Sequence, residues 1–369
     1  MSTASIPLLV DQAPARTELD GTYKKIFMRL IPFLMRIKRE FFKLNIQRKL
    51  YGLGCAFALL AIAVPAAAQD KYPDRPVKVI VALPAGGGVD MIARLVGQRL
   101  ASEVGQPFIV DNKAGASGRI GLPLVAKAAP DGYTLMMSPA SFLTTNKSIF
   151  KEMSYDPESD FAPITKVAHQ SMVLVVKDKQ KFPNAGAVLA AAKAKPDSVT
   201  YASSGDGSPQ HLAALMFETR MKVRMTHIPY KGGALAINDL LGGNVDVLFA
   251  PLPEALPHIK AGKLTALAIM GDKRSDLIGD VPTMRESGID NMTMVTWIGM
   301  LAPARTPRPI VDQLNRQVHA ILARADVKAQ LREAGMDVAP TTPEQFKATI
   351  SQEIKEHAQL VKASGLVPQ

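Results

Sequence analysis

Four glycine-rich segments each lie between an apolar run and a stretch of helical spacing: Pro84-Ala85-Gly86-Gly87-Gly88-Val89-Asp90, Ala114-Gly115-Ala116-Ser117-Gly118-Arg119, Ser203-Ser204-Gly205-Asp206-Gly207-Ser208 and Tyr230-Lys231-Gly232-Gly233-Ala234. Glycine lets a chain turn tightly and brings its amides close to a ligand. The first amides of a helix have no intrahelical acceptor and together carry roughly half a positive charge. Turns of this kind bind anions without a formal cation. A single such turn is more often plain backbone geometry, but four in one chain favour a site.

The familiar phosphate motifs do not account for them. No segment supplies the G-x-x-x-x-G-K-[ST] of a nucleotide loop. The first turn lacks the third glycine of the dinucleotide fingerprint G-x-G-x-x-G. Catalytic sets are scarce as well. The chain has one cysteine, Cys55, and no G-x-S-x-G elbow. The six histidines, His169, His211, His227, His258, His319 and His357, show no metal-ligand spacing, so no metal and no cofactor is expected. Ser203, Ser204 and Ser208 lie near His211, but His211 follows Ser208 by three positions, the spacing of a helix cap, and no orienting acid stands out. Asp90 reads equally as a cap for the helix after it, and Trp297 as core packing or a pocket wall.

Charge first suggests a polyanionic partner, because 369 residues carry a formal +11. Its location removes that suggestion. Residues 1–68 hold ten of the 44 Lys and Arg and four of the 33 Asp and Glu, which leaves +5 on the remaining 301 residues. A basic stretch, an apolar run over residues 50–68 and the closing Ala66-Ala67-Ala68 have the order of a secretory signal peptide cut after Ala68. A membrane anchor is the competing reading; Pro65 and the alanine-rich end favour cleavage. The leader is long, and a start at Met28 or Met35 would make residues 1–34 an upstream extension. An exported chain without cysteine in its mature part fits a bacterial periplasm and no nucleic-acid role.

The elements that position the turns alternate. Short β-branched runs predict strands at residues 77–83, 107–111, 133–137, 172–177, 198–203, 225–230, 245–250 and 264–270. Amphipathic segments between them predict helices, hence an α/β chain with a parallel sheet covered by helices. Val79–Gly88 (VIVALPAGGG) and Met225–Ala234 (MTHIPYKGGA) share a strand, a proline and a glycine cluster, which suggests duplicated lobes; chance similarity is the alternative. No linker separates the halves, so strands crossing between lobes are expected in place of a tether.

At these residues the chain resembles a known family. VKVIVALPAGGGVDMIARLVGQRL, VDNKAGASGRIG, YASSGDGSPQHLAALMF, HIPYKGGALAINDLLGGNVDVLFAP and KLTALAIMGDKRS are similar, in order and spacing, to successive motifs of the tripartite tricarboxylate transporter substrate-binding proteins, the Bug family. The resemblance spans residues 72–369. It implies a two-lobed type II periplasmic binding protein fold, a Venus flytrap of two α/β lobes joined by crossing strands. One lobe would comprise residues 69–172 and 296–369, the other 173–295. It also implies that ligand carboxylates are held by the first-strand loop (Ala85, Gly86, Gly87, Gly88 and Asp90), often through water. The third-strand loop (Ser138, Ala140, Ser141), the second-lobe loop (Ser203, Ser204, Gly205) and Ala250 would complete the cleft. Two departures stand out: Val89 replaces a frequent hydroxyl residue, and Ser117 a frequent glycine.

The expected function is capture of a small organic carboxylate in the periplasm by a monomer, with delivery to the membrane permease subunits of a tripartite transporter. Service to a sensor kinase is one alternative. An exported enzyme acting on carboxylates is the other, which the missing catalytic set disfavours.

Overall fold

The computed structural model describes residues 32, 35–40, 43 and 72–368. The apolar run at residues 50–68, its cleavage point after Ala68 and Cys55 lie outside the described residues. No helix among the described residues is long and apolar enough to cross a membrane.

Residues 70–369 form one compact unit built on a mixed sheet. Its first half contains β1 (Val77–Val81), β2 (Phe108–Asn112) and β3 (Thr134–Pro139), which run parallel in the order β2-β1-β3. Its second half repeats the arrangement with β5 (Thr200–Ser203), β6 (Thr226–Pro229) and β7 (Val247–Pro251) in the order β6-β5-β7. Between the halves runs β4 (Phe161–Val176), the longest strand at 16 residues. It pairs antiparallel with β9 (Val295–Pro303) over Phe161–Ser171, and with β7 and β8 (Thr265–Ile269) over Met172–Val176. The short β10 (Asp337–Val338) pairs with β4 at Ala168 and His169.

The fully parallel sheet expected from strand–helix alternation is thus confined to each half. The strands that pass between halves run antiparallel to their neighbours because the chain goes out along β4 and returns along β9. The sequence shows only the last third of β4. Its first part contains Pro163, and register shifts against β9 at Pro163/Thr165 and Lys166/Ala168 break the alternation of side chains. Topology also revises the duplication. Sequence similarity pairs β1 with β6, but β1 is the central strand of its trio and β6 an edge; the strand in β1's position is β5.

Residues Met172–Val176 of β4 read as a continuous apolar run because both faces are covered. Met172, Leu174 and Val176 face one cluster with Leu212, Phe217 and Phe249, whereas Val173 and Val175 face another with Ile237 and Leu240. In the first half, α1 (Gly88–Val104) lays Ile92, Val96 and Leu100 on Val79 and Val81. The remaining helices include α6 (Pro209–Met221), α7 (Gly233–Gly242), α8 (Leu252–Lys260), α10 (Ala325–Glu333) and the C-terminal α11 (Pro343–Ser364). Helix α11 starts in a capping box made by Thr342 and Gln345 and sets Phe346 edge-on against Trp297, ring centres 4.9 Å apart. Trp297 is therefore core, and its Nε1 donates to both carboxylate oxygens of Glu353 at 2.8 and 2.9 Å.

Phe346 is fully buried and its ring also packs tightly over Gly299, so removing it leaves a cavity. Phe346→Ala should lower the unfolding free energy by about 3–5 kcal/mol. Urea titration checks this, and a loss below about 1 kcal/mol would mean the ring does not lock α11 to the sheet.

Candidate functional site

A cleft of about 750 Å³ opens between the two halves of the sheet. The first half supplies the β1–α1 loop from Leu83 to Met91, and β4 supplies Gln170 from the strand the halves share. The second half supplies Ser204, Gln210, Pro251 and Glu254 with the start of α7. The wall nearest β1 is a bare helix end. Met91 is the first residue of α1 whose amide finds a helical acceptor, the Gly87 carbonyl at 3.0 Å. The amides of Gly88, Val89 and Asp90 precede it and have no acceptor among the described residues. No side chain caps the helix at Gly87. Gly86 takes φ +88°, which an L side chain rarely adopts, and a Cβ at Gly86 or Gly87 would point into open space.

Asp90 lines the cleft but its oxygens are committed. Oδ2 accepts from the Gly86 amide at 3.0 Å and from Arg94 Nε at 2.9 Å, and Oδ1 accepts from Asn112 Nδ2 at 3.0 Å. Burial works against the ionised carboxyl, yet the bonds from Arg94, Gly86 and Asn112 outweigh it and hold it below the usual range. Asp90 thus braces the glycine loop from inside and leaves the helix end to face outward.

The profile of the tripartite tricarboxylate transporter family receptor matches residues 92–366. The chain belongs to this family. The Bordetella pertussis protein BugT is 36% identical over 323 residues, covering 87% of this chain and 99% of that protein. Among solved structures, Rhodopseudomonas palustris Rpa4515 with adipate is 32% identical and has a TM-score of 0.78 over 81% of this chain and all of that one. Rhodopseudomonas palustris MatC with bound malate is 31% identical, with a TM-score of 0.74 over 79% of this chain and all of that one. The architecture is that of the family's periplasmic binding proteins, two α/β lobes joined by crossing strands.

Against this receptor fold the residues singled out in the sequence fall into three places. Ala85, Gly86, Gly87, Gly88, Asp90 and Ser204 line the cleft. Gly205 lies on an adjoining cavity of about 390 Å³, which shares Leu83, Pro84 and Ser204 with the cleft and is bordered by Ser117 and Tyr230. All four glycine turns therefore converge on these two spaces. The rest stand apart. Ser138 is buried in β3 and donates to the Pro139 carbonyl, and Ala250 is buried in the core under α7. Ala140 and Ser141 border a separate cavity of about 250 Å³ with Glu353 and His357. Ser203 is turned inward, its Oγ 2.6 Å from His227 Nε2. Val89 lines the cleft, and its own amide has no acceptor among the described residues.

Three lining residues carry no local sequence signal. Gln170 sits in the unread part of β4, Gln210 inside a helix, and Glu254 in a first helical turn, where acids are common.

Folding also assembles a group invisible in the sequence. His227 Nδ1 lies 3.5 Å from Asp206 Oδ1, so Ser203, His227 and Asp206 stand in the order of a nucleophile, base and orienting acid. Ser203 Oγ also accepts the Gly205 amide at 3.1 Å, and the residue is fully buried and absent from the cleft wall. Asp206, His211 and His227 bring ligand atoms within 4.8 Å of one another. The two imidazoles are stacked, however, 4.2 Å apart and 10° from parallel. Their lone pairs lie in parallel planes and do not converge on one ion. Burial lowers both imidazole pKa values, that of His211 to about 3, so they pack as neutral rings against Tyr201.

Because the Asp90 carboxyl is held below its ordinary pKa, its contribution to stability is present above the unfolded value and fades as pH falls through the folded one. Asp90→Asn should cost about 1–3 kcal/mol near neutral pH, and progressively less in acid as the native carboxyl protonates. Denaturation of both proteins across pH checks this; a gap independent of pH would rule out the carboxylate as the brace.

Proposed function

We propose that the protein is a periplasmic solute-binding receptor that captures a small organic carboxylate between its two lobes and hands it to the permease subunits of a tripartite transporter. The carrying observation is the uncapped amino end of α1, opening into a cleft that both halves of the sheet line. Oriented amides at a helix end suit a carboxylate, and the lining among the described residues includes no arginine that would demand phosphate or sulfate. Adipate and malate, held by two relatives, are carboxylates of the expected size. In this reading the chain works as a monomer without catalysis. Residues 1–68 direct export and are cut after Ala68, and the lobes comprise residues 69–172 with 296–369, and 173–295.

Magnitudes support shared work by the lobes. A hydrogen bond to a charged group contributes about 1.5–3 kcal/mol net. A micromolar ligand requires about 8 kcal/mol after association costs. One loop supplies too little; amides from α1 with side chains from the second half supply enough. Closure about the shared strands would bring both to the ligand.

A thermal-shift screen of small carboxylates on residues 69–369 tests the reading. A ligand at one hundred times its dissociation constant should add about 2.7 kcal/mol of stability. Gly87 has φ −84°, so Gly87→Val should fold, yet its side chain would stand in the mouth of the amide cradle and weaken the same ligand at least tenfold. Silence with every carboxylate, or full affinity in Gly87→Val by calorimetry, would overturn the reading.

A further inference from the structure

One wall of the cleft carries an acid that an anion site does not require. Glu254 lies in the first turn of α8 and lines the cavity. A short chain of hydrogen bonds fixes its direction: Ser204 Oγ donates to Gln210 Oε1 at 2.8 Å, and Gln210 Nε2 donates to Glu254 Oε2 at 3.1 Å. Oε2 is therefore an acceptor, and Oε1 has no hydrogen-bond partner among the described residues. No cation among the described residues pairs with the carboxyl, and burial, opposed only by the bond from Gln210, pushes it up to about 7.

Its location is as telling as its charge. A Cβ added to Gly233 would fall 2.5 Å from Glu254 Oε2, so the carboxyl is pressed against the amino end of α7. That helix end is the second lobe's glycine turn, the place where a ligand's second carboxylate would find amides. The chain's own acid lies against it without accepting from its amides, while the amino end of α1 stays open. The two ends of the cleft are thus unlike, one offering donors and the other an acceptor.

We infer that Glu254 is the specificity-determining residue of the cleft, selecting a small carboxylate that also carries a hydrogen-bond donor, a hydroxyl or an ammonium, over a bare dicarboxylate. The inference rests on the receptor reading above. The ligand carboxylate takes the α1 amides, and its donor takes Glu254 Oε1. A second carboxylate in that position would face a like charge on a half-buried acid, and would enter readily only if one of the two took a proton. The other titratable groups on the cleft are Asp90, committed to Arg94, His258 and Lys260 farther along α8, and Glu333 from α10.

Calorimetry with succinate, malate, aspartate and 4-aminobutyrate separates the possibilities, because the last three add or substitute a donor on a four-carbon acid. At pH 8 at least one donor-bearing ligand should bind tenfold or more tightly than succinate. Malate against aspartate then distinguishes hydroxyl from ammonium. Glu254→Gln should tighten succinate and weaken the preferred ligand, cutting the ratio at least tenfold; a purely structural residue would move both the same way. On the native protein, succinate affinity should rise about tenfold from pH 8 to pH 6 as Glu254 takes a proton. This measurement decides the matter even if the variant does not fold. Succinate binding as tightly as the other three, a ratio unchanged in Glu254→Gln, or a flat pH series would each overturn the inference while leaving a carboxylate receptor. Binding of none of the four by either protein would overturn the inference, and the receptor reading falls with it only if the wider carboxylate screen is silent as well.

Discussion

Strand β4 is the constraint on which the molecule rests. It is hydrogen-bonded to β9 along its first part and to β7 and β8 along its last, so one continuous backbone belongs to both halves of the sheet. Over Met172–Val176 it has no solvent face, which is why that stretch is apolar on every residue. It also fixes the cleft. Gln170 projects from the point where β4 leaves one half for the other, directly beside Gly88 at the start of α1. The two walls are therefore positioned by the strand they share and not by a flexible connection. Any change in the opening between them must be taken up within β4 and β9.

On that frame the first half meets an anion with backbone rather than with cations. Glycine at the β1–α1 turn leaves a helix end bare, and Asp90 holds the turn in shape from behind. The use of an acid to build an anion site is less odd than it looks. Arg94 and Asn112 neutralise and enclose Asp90, so what faces the cleft is the positive end of the helix and not the carboxylate. Glu254 is the opposite case. Among the described residues it has no cation and its one partner is a neutral carboxamide, so its chemistry remains open to whatever enters. Two acids on one cleft thus differ through their surroundings, one structural and one free to discriminate.

The sequence by itself carried a good deal of this. Alternating apolar runs and helical spacing determine an α/β fold because each element must bury one face, and that requirement is written locally. Glycines before helix starts determine where bare amides can occur, and the four turns named from sequence do converge in space. What failed to show was whatever depended on pairing. The first part of β4 was hidden by Pro163 and two register shifts, which make sense only against β9. The true counterpart of β1 is β5, because a strand's place in a sheet is set by its neighbours and not by its own residues.

The division within the site has the same origin. Composition and spacing determined that loops could offer amides; only the tertiary structure decided which loops face a common space. Ser138, Ala140, Ser141, Ser203 and Ala250 sit next to the right turns in sequence and point elsewhere, since a side chain's direction follows from the packing around it. Glu254, Gln210 and Ser204 come from separate elements and meet through hydrogen bonds that no local pattern encodes. Backbone chemistry is local and can be read along the chain, whereas the company a side chain keeps exists only after folding.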